Sequence, residues 1–343
     1  MKSTIKKLLG LVLAGVMVLT MASCGKENEE PATSSDSGNT AQTTTIKKIA
    51  MLLPGEITDQ GWNTTAYNAL EEFKKRGYET TYIESVENAS IEQTFRTYAD
   101  QGYDLIIGHG AEFGNGAAIV GEEYPDKYFF VTGKKPEGIT APDNVAFLDI
   151  KEYEGAYLCG IAAGMTTKSK VVGYLGGIEQ ASQLADRNGF IEGVHSVDPS
   201  IKVIDVMAGT FGDSSLGKES ATAMIEQGAD VLMHTCDTTG LGLIEAAKEN
   251  NVYICGYGSD QSSLAPDLML TSFIPETQKA ILTIDESIKN NTFGGVMKVG
   301  VKEGIVTLGK FGPGMSEEAK TKVNEAMEKM KNGEELVQED LSK

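Results

Sequence analysis

Strand-like and helix-like segments alternate along almost the whole chain after residue 45, and this alternation limits the possible folds more than any other feature. Short apolar, β-branched runs are followed by longer amphipathic runs, first between residues 48 and 150 and again between residues 153 and 257. A repeated β-then-α pattern indicates parallel strands joined by right-handed crossovers. About 300 residues also exceed one ordinary core. We therefore predict an α/β protein with two doubly wound parallel-sheet lobes joined by hinge crossovers.

The pattern assigns individual elements to each lobe. In the first half we predict strands at Lys48–Leu53, Glu79–Glu84, Leu105–Gly108, Tyr128–Thr132 and Val145–Ile150, and helices at Thr64–Arg76, Ser90–Asp100 and Gly116–Glu123. In the second half we predict strands at Val171–Leu175, Lys202–Met207, Val231–His234 and Val252–Tyr257, and helices at Tyr153–Thr166, Gln180–Val197, Gly217–Glu226 and Leu241–Asn250.

The last part of the chain is expected to cross between the lobes. We predict lobe 1 at residues 46–150 with about 260–292 returning to it, and lobe 2 at residues 151–259 with about 293–312 returning to it. A helix is predicted at Gln278–Lys289, a closing hairpin at Val296–Gly300 and Ile305–Leu308, and a charged helix at Glu317–Asn332 within a terminal segment, residues 313–343, that packs on the surface.

The first 45 residues predict an exported, lipid-anchored protein. Lysines precede the apolar run Leu8–Leu19, and Met21-Ala22-Ser23-Cys24 resembles a lipoprotein cleavage site. Residues 1–23 are then the signal peptide and Cys24 is the lipidated, palmitate-bearing N-terminus, although an ordinary secretory signal is the alternative. Residues 24–45 carry that anchor and a polar tether without an apolar pattern. We expect a body facing the outside of the cell membrane.

Composition excludes several classes of protein. The formal net charge of −19 argues against nucleic acid and anionic lipid as partners. Cys159, Cys236 and Cys255 lie in apolar segments and predict buried free thiols, since no Cys-x-x-Cys or zinc spacing occurs. The three histidines are far apart in the sequence, so we predict neither a metal nor a cofactor.

The stretch from Ile57 to Asn63 follows the first predicted strand directly and holds Trp62, the one tryptophan of the chain. Loops at the carboxyl ends of parallel strands are where open α/β sheets bind ligands. A flat aromatic ring beside Asp59 and Asn63 suits a planar heteroaromatic ligand, with stacking for affinity and polar groups for orientation. The alternative is that Trp62 fastens its helix to the sheet and Asp59 caps that helix.

Other strand ends add candidate ligand-binding residues, because their loops face the same cleft between the lobes. They are Glu87, Gly108, His109, Phe113, Lys134, Asp237 and Asp260. The glycine-rich run from Gly108 to Gly114 has the wrong spacing and position for a dinucleotide fingerprint. His109 is the one candidate general base, without a nucleophile partner, and Phe113 is either a pocket wall or core. The acidic character of these loops favours a neutral or weakly basic ligand.

Five spaced motifs together resemble the basic membrane protein lipoprotein family, whose members are substrate-binding components of ABC importers typified by purine nucleoside receptors. The motifs are Asp59-Gln60-Gly61-Trp62-Asn63, Glu154-Gly155-Ala156-Tyr157-Leu158-Cys159-Gly160, Val171-Val172-Gly173-Tyr174-Leu175-Gly176-Gly177, Gly189-Phe190-Ile191-Glu192-Gly193-Val194 and Gly258-Ser259-Asp260-Gln261. The resemblance implies the type I periplasmic-binding fold, an ABC permease as partner and a monomer.

The resemblance also implies roles for residues. Trp62 would stack on a purine, Asp59 and Asn63 would hold the base edge, and Asp237 and Asp260 would supply further polar contacts. Nucleoside-binding members often have an Asp where this chain has Gly258, and a Lys after the strand that here ends near Pro275. Both changes remove ribose contacts and favour a free base such as adenine over a nucleoside.

We therefore expect a membrane-anchored solute-binding lipoprotein of an ABC importer that binds a purine base or purine nucleoside and is not an enzyme. The alternatives are a sensory receptor for the same ligand, an extracellular nucleoside hydrolase that uses Asp59 or Asp237, and a receptor for riboflavin, a simple sugar or a signalling furanone, because fold alone does not fix the ligand.

Overall fold

Two six-stranded sheets organise the chain. The computed structural model describes residues 46–58 and 62–343. The predicted signal peptide, Cys24, the tether and Asp59 therefore lie outside the described residues.

The elements alternate as predicted. Up to the first crossing between lobes they are β1 (Lys48–Leu52), α1 (Trp62–Lys75), β2 (Glu79–Ile83), α2 (Ile91–Asp100), β3 (Leu105–Gly108), α3 (Gly114–Glu123), β4 (Tyr128–Val131) and β5 (Val145–Ile150). The second half contains α4 (Glu152–Thr166), β6 (Val171–Gly176), α5 (Ala181–Val197), β7 (Lys202–Met207), α6 (Ser214–Glu226), β8 (Val231–Thr235), α7 (Asp237–Asn250), β9 (Tyr253–Tyr257) and β10 (Met269–Pro275). The chain ends with α8 (Thr277–Ile281), α9 (Ile284–Lys289), β11 (Gly295–Val299), β12 (Val306–Leu308) and α10 (Glu317–Lys331).

Each sheet forms one lobe. The strand order in lobe 1 is β11-β5-β4-β3-β1-β2, and all of its pairs are parallel. In lobe 2 the order is β12-β10-β9-β8-β6-β7, with only β12 antiparallel to its neighbour. Apolar residues fill both faces of each sheet, which is why strands such as β1 and β3 are continuous apolar runs rather than alternating ones. The prediction of two doubly wound lobes is confirmed.

The structure places the last crossings at other residues than predicted, although α8 and α9 pack in lobe 1 and β12 lies in lobe 2. Residues 260–275 stay in lobe 2, because the apolar strand β10 pairs with β9 and is buried there. The predicted hairpin does not form either. β11 pairs with β5 in lobe 1 while β12 pairs with β10 in lobe 2, so the two segments belong to different sheets. Two short apolar runs around a glycine turn look the same in sequence whether they pair with each other or with separate partners.

Three crossovers connect the lobes, and hydrogen bonds tie two of them together. They follow β5, β10 and β11. The Glu154 carboxylate accepts from the Val301 backbone N–H at 2.7 Å and from Lys151 Nζ at 2.8 Å, while the Lys151 N–H donates to the Val299 carbonyl at 2.8 Å. The first and third crossovers therefore form one hydrogen-bonded unit at the hinge.

The terminal helix contributes to the core. Along α10, Ala319, Val323, Ala326 and Met330 are buried in the apolar cluster that also contains α4. The sequence predicts that this helix packs on the surface; in the structure its apolar side is buried in lobe 2 and its charged side faces outward. Cys159, Cys236 and Cys255 are buried free thiols, as predicted.

Candidate functional site

Trp62 begins α1 directly after the first-strand loop, and its indole lies on the imidazole of His109. The ring centroids are 4.0 Å apart and the planes differ by 23°, which is a stacked arrangement. His109 follows β3, the neighbour of β1 in the sheet, and is fully buried. Trp62 is only partly buried. The buried imidazole therefore supports one side of the indole, and the accessible part of the indole is left at the carboxyl edge of the lobe-1 sheet.

Hydrogen bonds fix the His109 ring and assign its tautomer. Nε2 lies 3.0 Å from the Trp62 carbonyl oxygen, which can only accept, so this nitrogen carries the proton. Nδ1 then accepts from the Thr132 hydroxyl at 2.6 Å. Because both ring nitrogens are engaged in this way, the lone pair that a general base needs is already in use. The geometry makes His109 a support for Trp62.

Asn63 is buried and braces the loop before α1. Its side-chain oxygen accepts from the Gly55 backbone N–H at 3.3 Å, and Thr64 Oγ1 donates to the Ile57 carbonyl at 2.7 Å. These contacts hold the described part of the first-strand loop against the start of α1. The Asn63 amide thus has a structural role in addition to any contact with a ligand.

Gly108 and Phe113 lie in the core of lobe 1. Phe113 is fully buried, with its ring at 86° to that of Phe95 and 6.2 Å from it, so no surface remains to wall a pocket. A Cβ on Gly108 would lie 2.5 Å from Phe113 Cβ, which explains the glycine by packing. Of the two readings of Phe113, the structure supports the core residue. Glu87 is exposed beyond the edge strand β2.

Lys134, after β4, pairs with the C-terminal tail. Its ammonium forms an ion pair with the Glu339 carboxylate, and burial lowers the pKa of Lys134. The tail itself is fastened to lobe 2, because Val337 is buried in the lobe-2 core and Asn188 Nδ2 donates to the Asp340 carbonyl at 2.9 Å. The ion pair between Lys134 and Glu339 therefore connects the two lobes.

Asp260 is exposed and caps a short 3₁₀ turn, Gln261–Ser263. Its carboxylate accepts from the Ser262 backbone N–H at 3.1 Å. Desolvation acts to raise the pKa of Asp260, but the hydrogen bonds from Ser262 and Lys310 together outweigh it and lower that pKa. Gly258 adopts φ +85°, a conformation that side chains rarely accept. The backbone at this position thus favours glycine.

Asp237 has three companions in lobe 2 that the sequence did not single out. We call this group the lobe-2 acidic cluster; it consists of Glu152, Asp186, Asp237 and Tyr257. The residues come from the first positions of α4 and α7, the middle of α5 and the end of β9. The Tyr257 hydroxyl donates to Glu152 Oε2 at 3.0 Å, and Asp237 takes the unusual φ of 41° where the chain turns from β8 into α7.

The cluster combines a buried member with accessible ones. Asp186 is 1% exposed, and its Oδ2 has no hydrogen-bond partner within the described part of the chain. Glu152, Asp237 and Tyr257 are each only partly buried. Three of the four groups are therefore partly accessible, whereas the fourth, Asp186, holds an unsatisfied carboxyl oxygen in the protein interior.

Burial and mutual repulsion keep protons on this cluster. Burial, followed by the charge of Asp237, raises the pKa of Glu152 to about 7. Burial and the charge of Glu152 raise the pKa of Asp186 well above its usual range, against the opposing effect of Lys134. The pKa of Tyr257 is raised by burial and then by the charges of all three carboxylates. At neutral pH the cluster holds fewer negative charges than its three carboxylates allow.

A buried network positions α5 and with it Asp186. The side-chain oxygen of Gln183 accepts from the Gly177 N–H at 2.8 Å and from Thr235 Oγ1 at 2.9 Å. Tyr174 joins through its hydroxyl, 2.6 Å from Thr235 Oγ1. Gln183 lies one helical turn before Asp186, so the ends of β6 and β8 set the place of the carboxylate.

Residues 46–58 and 62–343 contain neither a cluster that could hold a metal ion nor a helix that could span a membrane. Within these ranges, no three His, Cys, Asp or Glu side chains are placed to hold a metal ion. None of the helices described there is long and apolar enough to cross a membrane.

Two doubly wound lobes with three crossovers, and polar and aromatic residues at their strand ends, define the class of type I periplasmic-binding proteins. A solute-binding protein of an ABC transporter system from Aeropyrum pernix K1 has the same fold, with a TM-score of 0.74 at 20% identity, covering 84% of this chain and 92% of that one.

Sequence comparison gives the family. Residues 46–340 match the Bmp family, described as ABC transporter substrate-binding protein PnrA-like, and the chain belongs to that family. It is 28% identical over 297 residues to basic membrane protein A of Borreliella burgdorferi, covering 85% of this chain and 88% of the relative. It is also 28% identical over 271 residues to the transcriptional activator protein med of Bacillus subtilis, covering 78% and 83%. The resemblance predicted from the five motifs is confirmed.

Proposed function

We propose that this substrate-binding protein is a lipoprotein, anchored through Cys24 on the outer face of the cell membrane, that binds a purine-type ligand between its lobes and delivers it to an ABC permease. The observation that carries the ligand assignment is the Trp62 indole, supported on one side by a buried histidine. A planar heteroaromatic ring is the ligand for which such a rigid, partly accessible indole is suited. Asp59 and Asn63 are the proposed partners of the ligand's polar edge.

A free base is favoured over a nucleoside. The left-handed backbone at Gly258 disfavours any side chain there, and Pro275 lies buried within β10. Neither position offers the carboxylate or the ammonium that nucleoside-binding relatives are expected to use for ribose. Adenine has no sugar, so its binding does not require these two ribose contacts.

Thermal stability tests the ligand class. The chain without residues 1–23 and with Cys24→Ser is unfolded and refolded to remove bound solute, then heated with adenine, guanine, hypoxanthine, adenosine, guanosine, inosine, riboflavin or ribose. A ligand that binds only the folded state raises the melting temperature. We expect a large shift with free bases and little with nucleosides. Shifts with riboflavin or ribose alone would refute the purine assignment.

Lipid anchoring and transport need separate tests. Cells fed labelled palmitate should label the wild-type protein and not Cys24→Ala. Deleting the gene should abolish uptake of the labelled base at low concentration, and hinge closure over the ligand is the proposed signal to the permease. Purine nucleosides incubated with the purified protein should remain intact, because we propose no catalytic residue. Their hydrolysis would instead favour the enzyme alternative.

Sensing is the second candidate function, and the name of the relative med favours it. A protein of this fold that controls transcription need not deliver its ligand to the cytoplasm. The same deletion strain separates the two functions. Lost uptake supports import, whereas normal uptake with a lost transcriptional response to the base supports sensing.

A further inference from the structure

We propose that the lobe-2 acidic cluster binds a positively charged nitrogen group of the ligand, an ammonium or amidinium. This inference rests on the proposed binding of a small ligand between the lobes, and it names a chemical feature of that ligand beyond its flat ring. Two independent observations carry it, the convergence of three carboxylates and the unpartnered oxygen of Asp186.

Two of the three carboxylates have an ordinary structural explanation that involves no ligand. Glu152 and Asp237 are the first residues of α4 and α7, where the helix dipole stabilises negative charge. Asp186 has no such explanation, since it lies within α5 on the face that carries the buried Phe190. A charged residue on the core side of a helix normally has a partner.

The orphaned oxygen supplies the second observation. Asp186 is 1% exposed, and Oδ2 finds no donor among the described residues, although nearby Gln183, Thr235 and Tyr174 satisfy one another. A buried carboxyl oxygen without a partner costs free energy, and the group retains a proton because an uncompensated buried charge would cost more. A ligand group that brings two or three N–H donors would satisfy Asp186 Oδ2 and its neighbours together.

The ligand group is an organic cation rather than a metal ion. No three acidic, cysteine or histidine side chains in the described ranges lie close enough together to share a metal. The Tyr257 hydroxyl donates to one oxygen of Glu152 and lies near all three carboxylates, so a phenol sits among them. Spaced carboxylates with an aromatic hydroxyl suit the separate N–H bonds of an ammonium or amidinium.

Release of protons when a cationic ligand binds is a measurable consequence of this site. The titratable groups around Asp186 are Glu152, Lys134 and the neutral phenols Tyr174 and Tyr257, and Asp237 acts on Glu152. Without a cationic partner the cluster retains protons, because burial and then the neighbouring carboxylates raise the pKa values of Glu152 and Asp186. When a cationic group enters, it favours the ionised carboxylates, and the displaced proton passes to the buffer.

The test compares ligands that differ by one charge. Adenine, N6-(2-aminoethyl)adenine, whose side chain carries an ammonium, and agmatine, a guanidinium amine without a ring, are titrated into the refolded chain lacking residues 1–23 and carrying Cys24→Ser. Calorimetry at pH 7 in phosphate and in Tris gives the protons released. We expect the aminoethyl ligand to bind more tightly than adenine and to release a measurable fraction of a proton, whereas adenine releases none.

Variants assign the effect to the cluster. Asp186→Asn should weaken the aminoethyl ligand by about 10- to 150-fold and adenine by much less, as expected for loss of a hydrogen bond to a charged group. Glu192→Gln, an exposed carboxylate on the same helix, should change neither affinity. The melting temperature of ligand-free Asp186→Asn checks folding and should not fall, because the variant removes a buried carboxyl that must retain its proton for the protein to fold.

The same titrations can refute the cation site and the purine assignment separately. Equal affinity for adenine and its aminoethyl derivative, with no proton release, overturns the cation site and leaves the purine assignment standing. Binding of agmatine alone, lost in Asp186→Asn, supports the cation site and refutes the purine. Tight cationic binding that Asp186→Asn leaves unchanged overturns the proposal that this cluster holds the charge.

Discussion

The Trp62 indole and the His109 imidazole lie 4.0 Å apart and nearly parallel, and the histidine also holds the Trp62 carbonyl through Nε2. One buried residue therefore fixes both the ring and the backbone of the residue that begins α1. A side chain held in this way loses little freedom when a ligand stacks on it, so pre-organisation adds to affinity. The following predictions test this arrangement and the charges in lobe 2.

Replacing Trp62 by alanine should remove most ligand binding while the fold is retained. A base stacked on an aromatic ring contributes about 1–3 kcal/mol, so affinity for the free base should fall by about 5- to 150-fold. Calorimetry measures the affinity and circular dichroism the fold. Tyr82→Ala, which removes an exposed aromatic from β2, is the matched control and should bind normally. Binding within twofold of wild type in Trp62→Ala would show that the ligand lies elsewhere.

Thr132→Val should loosen the His109 support. The change preserves the shape of the side chain but removes the hydroxyl that donates to His109 Nδ1, leaving a buried acceptor unsatisfied at a cost of about 1–3 kcal/mol in unfolding free energy. Urea unfolding measures that loss, and base affinity should fall several-fold with it. Thr132→Ser retains the hydroxyl and should behave like wild type on both measures. If the Val and Ser variants were equally stable, the Thr132 hydroxyl would not contribute to holding the His109 ring.

The sequence predicted the strands of both sheets well, because buried parallel strands are continuous apolar runs. It did not predict which strands β11 and β12 pair with. Nothing local distinguishes β11 and β12 paired with each other from β11 and β12 paired with β5 and β10. The same limit applies to the site. Trp62 and Asp237 were identifiable from their place after predicted strands, whereas Asp186 lay within a predicted helix. The sequence did contain a clue to Asp186, because an aspartate four residues before Phe190 falls on the same buried face of α5.

Removing residues 338–343 should open the ligand-free protein. The tail is anchored in lobe 2 and its Glu339 pairs with Lys134 of lobe 1, so it favours the present arrangement of the lobes. A partly exposed ion pair contributes at most about 1 kcal/mol, enough to change the open and closed populations several-fold. Small-angle X-ray scattering should give a larger radius of gyration for the truncated chain, and Glu339→Gln should show part of the effect. An unchanged radius in both would mean that the tail does not restrain the hinge.

His234 should make the fold sensitive to acid. It is fully buried, its Nε2–H donates to Gln261 Oε1 at 3.0 Å, and burial lowers the pKa of His234 to about 4. The unfolded chain binds the proton near pH 6.5, so between about pH 6.5 and 4 it binds more protons than the folded one and stability falls as the pH falls. The full loss is about 3 kcal/mol. The melting temperature of His234→Gln should vary less over this range than that of wild type or His195→Gln. Parallel pH profiles in all three would exclude His234 as the cause.

Asp186→Asn should stabilise the ligand-free protein, and more so at higher pH. Burial raises the pKa of Asp186 in the folded state, so above pH 3.8 the folded protein holds a proton that the unfolded chain gives up. The free energy of unfolding contributed by Asp186 therefore decreases as the pH rises through this window. Urea unfolding at pH 8 should show a gain of about 1–3 kcal/mol for the variant over wild type, and at pH 4 almost none. Groups that do not interact with Asp186 cancel in that difference. A variant less stable than wild type at pH 8 would mean that the Asp186 carboxyl is paired in solution, and its buried oxygen would then no longer support a ligand site in lobe 2.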